Sequence, residues 1–229
     1  MARIWGLRTW VVCALLGAPT TYADAVHHVS VFATSDRLYH GLTETTENPS
    51  VGIQTEIAFA RWFAGLSIET SQPEERRQRH TPLTSYIGYE RGLGRSGWTL
   101  STSGAYRKFL RSDKVWDYWE FSAQLRSANG FALAVDHAPN YYTHDTRATA
   151  TTLSRFHEFG PTWYGLAMVG YMALSDAKDY AYGSFALGWR HRTNTVELSY
   201  DWHTLDEAVR FRDPIQDDAL RLTLTHRWR

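Results

Sequence analysis

Ser199, Asp201 and His203 follow one another at intervals of two and supply the nucleophile, acid and base of hydrolytic catalysis. On an extended segment all three share a face. Steps of two and four residues separate them by about 7 and 13 Å, too far to form a triad among themselves. No Gly-x-Ser-x-Gly turn is present to expose a nucleophile. The ten histidines offer close spacings only at His27-His28 and at His137 with His144, and the single cysteine, Cys13, stands apart from both. Neither pattern is that of a metal site. No catalytic residue, metal ligand or cofactor is assigned.

What remains is charge set at period two. Glu56, Glu90, Arg107, Glu120, Arg126, Glu197, Asp201, Arg221 and Arg227 occupy polar positions of segments whose alternate residues are apolar, and Glu69, Asp136 and His203 join them. If the apolar faces meet lipid, these residues line an interior of mixed sign. A pore selects by the sign and placement of its wall charges, so the expectation is passive diffusion of ions or small polar solutes with weak selectivity. The plainer alternative pairs the same residues into a plug that fills a narrow barrel. That would leave a closed structural or adhesion barrel acting through its outer loops, with a membrane-embedded hydrolase as the third reading. Arg221 and Arg227 are expected to face Glu197 and Asp201 across a hairpin.

The elements that position these charges read as strands. In Val196 to His203, Val196, Leu198, Tyr200 and Trp202 oppose Glu197, Ser199, Asp201 and His203; in the last segment Leu220, Leu222, Leu224 and Trp228 oppose Arg221, Thr223, Thr225 and Arg227. The same alternation marks Val51 to Phe59, Trp98 to Lys108 and Asp117 to Arg126. Weaker strands are His28 to Asp36, Trp62 to Glu69, Leu83 to Arg91, Gly130 to His137, Trp163 to Met172 and Tyr180 to His191. In Thr149 to His157 polar and apolar positions do not separate. About twelve strands result, each close to the 9–11 residues that cross a bilayer at a tilt.

Long and short connections alternate. Arg37 to Ser50, Thr70 to Pro82, Phe109 to Lys114, Ala138 to Ala148, Ala173 to Asp179 and Thr204 to Asp218 are the longer ones. The shorter ones are Ala60-Arg61, Gly92 to Gly97, Ser127 to Asn129, Glu158 to Pro161 and Arg192 to Asn194, with a hairpin signal at Asn129-Gly130. Short periplasmic turns and longer outer loops belong to outer-membrane barrels. The runs Glu74 to His80 and Asp206 to Asp218 are too charged for lipid. The fold expected is an all-β, transmembrane, antiparallel up-and-down barrel.

Arg3 and Arg8 precede an apolar run from Trp10 to Ala18, followed by Pro19 and the triplet Ala23, Asp24, Ala25. This order is that of a secretory signal over residues 1–25, cleaved near Ala25, with the barrel over 26–229. The apolar run is about half the roughly 20 residues a spanning helix needs. Without Cys13 the exported chain holds no cysteine, so closure of a sheet must do what disulfides do elsewhere. Lysine plus arginine equals aspartate plus glutamate at 24 each, and nothing points to nucleic acid as partner. The expected partners are the lipid of a bacterial outer membrane and the barrel-assembly machinery; oligomeric state is left open. Ten tryptophans and thirteen tyrosines fit interfacial belts, and Tyr141, Tyr142, Trp163, Tyr164, Tyr180 and Tyr182 are read as such a girdle.

Ser35, Asp36, Arg37, Leu38, Tyr39, His40, Gly41, Leu42 and Thr43, then Asn48-Pro49 and Gln54, resemble the opening block of the TorF family of outer-membrane porins. That block runs from a strand through an aromatic-Arg-Gly step and a polar stretch to a proline that starts the second strand. Here His40 stands where the family usually has arginine. Tyr86 to Tyr89, Trp116 to Glu120, Asp179-Tyr180 and the glycines Gly183 and Gly188 extend the likeness over most of the chain. The resemblance implies an outer-membrane barrel and a pore, with no substrate attached. Such barrels usually end on an aromatic residue; this chain ends Trp228-Arg229, which gives Trp228 that role one position early.

Overall fold

Most of the extended segments alternate apolar and polar residues, so that each has one face for hydrocarbon and one for the interior. A computed structural model shows how these segments close on themselves. It describes residues 25–45, 48–70, 81–94, 96–110, 116–142, 145–205 and 218–228. The signal reading over 1–25 lies outside the described residues except for Ala25. The charged runs Glu74 to His80 and 206–217 also lie outside them.

All regular elements among the described residues are strands. They are β1 (Val26–Thr34), β2 (Leu38–Tyr39), β3 (Leu42–Thr43), β4 (Ser50–Phe59), β5 (Trp62–Glu69), β6 (Thr81–Gly92) and β7 (Trp98–Leu110). The second half adds β8 (Tyr118–Ser127), β9 (Phe131–Tyr141), β10 (Thr146–Glu158), β11 (Trp163–Leu174), β12 (Tyr180–His191), β13 (Asn194–His203) and β14 (Ala219–Trp228). Twelve of them form a closed antiparallel barrel in which sequence neighbours pair and β1 closes the ring against both β14 and β4. Closure leaves no unpaired edge. β2 and β3 pair only with each other, as a hairpin inserted between β1 and β4.

Register fixes the faces. Val51, Ile53, Ile57 and Phe59 on β4, and Leu220, Leu222 and Leu224 on β14, are exposed on the outside, while Ser50, Glu56, Arg221, Thr223 and Thr225 are buried inside. At the end of the barrel that carries the chain termini, Trp62, Trp98, Trp163, Trp189 and Trp228 stand exposed on the outer face. At the opposite end three outward tyrosines repeat one device. Tyr106, Tyr171 and Tyr200 donate to Asp117 (3.1 Å), Asp179 (2.8 Å) and Asp218 (2.6 Å), each aspartate lying just before the returning strand. Asp117 and Asp179 also accept the backbone N–H of Phe109 and Leu174, fastening the strand end.

The connection read as Ala138 to Ala148 is a correction. β9 continues to Tyr141 and β10 begins at Thr146, leaving only 142–145 between them. Pro139 and Asn140 look like turn residues, yet they stay in the strand, and a register irregularity between Thr146 and Ala148 takes up the mismatch. Alternation of loop length is therefore weaker than expected on that side.

The girdle of tyrosines is a second correction. Tyr141, Tyr164, Tyr180 and Tyr182 are buried inside the barrel, and Tyr142 packs against the same interior. Only Trp163 of that set faces outward. Tyr164, Tyr180 and Tyr182 are in phase with the inner face, and Tyr141, Tyr180 and Tyr182 join Tyr39, Phe109, Tyr118, Met172 and Leu174 in an apolar core inside the barrel.

Candidate functional site

The interior is uneven because the strands that build it differ. On β9 to β12 the inward residues are largely small or apolar: Ala132, Ala134, Ala138, Ala148, Ala150 and Met172 are all buried there. On β4 to β8 and on β13 and β14 the inward positions carry most of the charge. The structure places Glu56, Glu90, Arg107, Glu120, Arg126, Glu197, Asp201, Arg221 and Arg227 on the inner face, in register with other inward residues. It does not gather them into one cluster; they fall into two tiers.

The outer tier forms around the β2–β3 hairpin, which turns back into the bore. Its tip is the two-residue turn His40-Gly41, with φ of 47° and 83°, the left-handed pair that joins tightly twisted strands. A side chain at Gly41 would collide with Tyr182, so the tip lies directly on the wall. Arg37 grips Glu69 of β5 with both arms, Nη2 to Oε1 at 3.0 Å and Nε to Oε2 at 2.8 Å. Arg107 of β7 donates from Nη2 to Glu44 at 2.6 Å and from Nη1 to the Tyr118 hydroxyl at 3.1 Å. The Tyr142 hydroxyl donates to the other oxygen of Glu44 at 3.0 Å. Tyr39 donates to Glu120, and His40 Nε2 lies 3.6 Å from the same carboxylate.

Two groups of this tier belong to the hairpin loop rather than to a spanning strand. Burial opposes the charge of Glu44, but Arg107 and Arg37 outweigh it and hold the carboxyl below its usual value. Burial likewise works against protonated His40, and the Glu120 carboxylate beside it more than offsets this, raising His40 above its usual value.

The second tier lies toward the termini. Glu56 accepts from Tyr86 at 2.8 Å, and Arg126 stands 3.5 Å from Glu90. Glu197 accepts from Tyr164 at 2.8 Å, and nearer the opposite end, next to Tyr200, Arg221 Nε donates to Asp201 at 3.1 Å. Arg221 thus takes Asp201, as the hairpin reading allowed, while Glu197 is held by a tyrosine and Arg227 lies opposite Ser30 of β1. Ser199 donates to Asp201 at 2.7 Å, but His203 Nδ1 accepts the backbone N–H of Leu205 and takes no part in that pair. Between the tiers a cavity of about 60 Å³ is lined by His40, Asp136, Thr152, Asp201 and Arg221 among others, room for a few waters.

Five inward glycines shape the bore. A Cβ at Gly52, Gly65, Gly88, Gly170 or Gly188 would overlap the ring of Phe32, Tyr86, Phe63, Tyr182 or Tyr164 respectively. Each ring comes from the adjacent strand and lies along the wall instead of across the bore. Sequence reading missed these pairs and the hairpin; the visible signal was the Gly-rich stretch of β12 and the His40-Gly41 step.

No protein-family model matches the chain, and no curated protein does. Among solved structures, a KdgM porin superposes with a TM-score of 0.56 at 7% identity over 88% of this chain and 98% of that one. A second structure, a KdgM porin in complex with disordered oligogalacturonate, gives 0.55 at 8% identity over 89% and 99%. The COG4313 outer membrane channel from Pseudomonas putida F1 gives 0.49 at 10% identity over 93% and 99%. At such identities the likeness is one of fold, and the fold shared is the closed 12-strand barrel of outer-membrane porins.

Proposed function

We propose that this chain is a narrow porin-like channel of a bacterial outer membrane, passing ions or small polar solutes by passive diffusion and needing no cofactor. The observation that carries this reading is the charged inner tier: Glu56, Glu90, Arg126 and Glu197 line the bore on the termini side of the hairpin, inside a wall whose outer face is apolar. Mixed sign favours weak selectivity. Toward the termini the rings of Phe63, Tyr86 and Tyr164 fold against Gly88, Gly65 and Gly188, which favours an open path on that side. Residues 1–25 serve as the export signal, and lipid and the assembly machinery are the partners this location requires.

A closed barrel that acts through its outer loops is the second reading, and the hairpin filling the outer half of the bore favours it. Single-channel recording of residues 26–229 refolded into a planar bilayer separates the two. The channel reading expects discrete steps whose ion preference moves toward anions in Glu90→Gln and toward cations in Arg126→Gln. Stable insertion with no steps under any condition, the hairpin-excised variant described below included, would overturn it.

A further inference from the structure

The β2–β3 hairpin is built as a unit of its own. Asp36 Oδ1 accepts from the Arg37 backbone N–H and from the hydroxyls of Thr43 and Thr45, and the Glu44 N–H donates to the Arg37 carbonyl. These bonds stay within the hairpin and its stem. No barrel strand pairs with β2 or β3, so the hairpin can leave the bore without breaking one ladder bond. Its polar contacts with the wall run through side chains, those of Arg37, Tyr39, His40 and Glu44.

Glu44 is the telling contact. Its two oxygens are received by Arg107 on β7 and by Tyr142 in the β9–β10 turn, both outside the hairpin. Those receivers are set by the wall itself. On the wall Arg107 is held by the Tyr118 hydroxyl, stands 3.7 Å from Glu69 and lies 5.3 Å from the Phe109 ring; the docked hairpin adds the Tyr39 ring at 4.6 Å. Tyr142 is aimed by a left-handed backbone, φ 50°. A guanidinium and a phenol, each fixed before the carboxylate arrives, are a recognition site for a carboxylate.

We propose that Arg107 and Tyr142, with Tyr118 behind them, form a carboxylate-binding site at the outer mouth, that Glu44 fills it as a tethered ligand, and that a carboxylate-bearing solute releases the hairpin by taking its place. The tether explains why the occupant needs little affinity of its own, since an intramolecular carboxylate competes at high effective concentration. This proposal rests on the channel reading above.

Recordings in planar bilayers test it with glutarate, matched against sodium chloride at equal ionic strength so that simple screening acts alike in both. The intact barrel is expected to be closed most of the time in chloride and to raise its open probability at least tenfold in glutarate. Glu44→Gln should be open in chloride. Arg107→Gln and, more mildly, Tyr142→Phe should lose the glutarate response, and Tyr142→Phe keeps a readout if the arginine variant fails to fold, as judged by heat-modifiable migration. A variant with residues 38–43 replaced by a Gly-Ser linker should conduct at all times. Equal opening by glutarate and chloride would overturn the carboxylate site. Equal conductance of intact and excised barrels would overturn the plug while leaving the channel standing, and a folded excised barrel that never conducts would overturn the channel itself.

Discussion

Replacing Gly188 with alanine tests whether the rings that line the bore are held flat by missing side chains. The new Cβ would overlap the Tyr164 ring, which is buried and cannot retreat through the wall. The ring must swing into the bore, and its hydroxyl then loses Glu197, now 2.8 Å away. Overfilling a packed interior costs about 1–3 kcal/mol. A lost hydrogen bond to a carboxylate adds about 1.5–3 kcal/mol. The sum is about 2.5–6 kcal/mol, readable as a lowered urea midpoint in lipid vesicles followed by tryptophan fluorescence. Tyr164→Phe alone should cost only the hydrogen-bond part. In the double variant that part is already spent, so the two changes should fall short of additivity by about 1.5–3 kcal/mol. Strict additivity, or an alanine tolerated within about 0.5 kcal/mol, would refute the account of ring and glycine as one fitted pair.

Ala60 sits at φ 54° in the tight turn between β4 and β5; glycine there should relieve about 1–2 kcal/mol of left-handed strain against about 0.4–1 kcal/mol of added freedom in the unfolded chain, so Ala60→Gly should raise the urea midpoint slightly. Asp179→Ala removes the acceptor of the Leu174 N–H and of the Tyr171 hydroxyl, and hydrogen exchange of the Leu174 amide should become faster while that of Ala167, deeper in β11, stays unchanged. Hairpin docking should be bounded in pH on both sides. The contact made by protonated His40, raised above its ordinary 6.5, is complete below that value and is lost as pH rises through its value in the barrel. The Glu44 contact, lowered from 4.5, is complete above that value and is lost as pH falls through its depressed one. Open probability measured across pH should therefore rise at both extremes, and His40→Gln should abolish the alkaline limb alone.

The strands were legible because their two faces meet different solvents. β13 and β14 alternate cleanly, since their outward leucines meet hydrocarbon and their inward residues meet charge. β10 resisted the same reading for a physical reason. Its inward residues Ala148, Ala150, Thr152 and Ser154 back an apolar interior, and its outward face carries Thr149, Thr151 and Arg155, so neither side is marked by polarity. The tyrosines of β9 and β12 misled through that same interior: aromatic residues near strand ends usually meet the interface, but here the barrel end holds a core of its own. The hairpin was beyond local reading. Leu38 to Thr43 make two strands of two residues each, and what turns them inward is the fit of Arg37 to Glu69 and of Glu44 to Arg107, partners 32 and 63 residues away.

That fit also bears on why the outer tier is ionic at all. Replacing buried ion pairs by apolar residues of similar volume is often neutral or stabilising, so four paired charges are a poor way to build a permanent core. They suit surfaces that must also face water. The hairpin brings Arg37 and Glu44 to the contact, and the wall brings Glu69 and Arg107, which stand 3.7 Å apart. Each side therefore offers one positive and one negative group and is left balanced when the two separate. When this hairpin leaves, Tyr39 and Leu42 give up their packing on the apolar core, but the charged part of the contact leaves behind an ion pair ready for water or for another carboxylate. Removing a single member while the hairpin stays docked strands a buried charge, at about 3–5 kcal/mol, and the cheaper response is for the hairpin to come out.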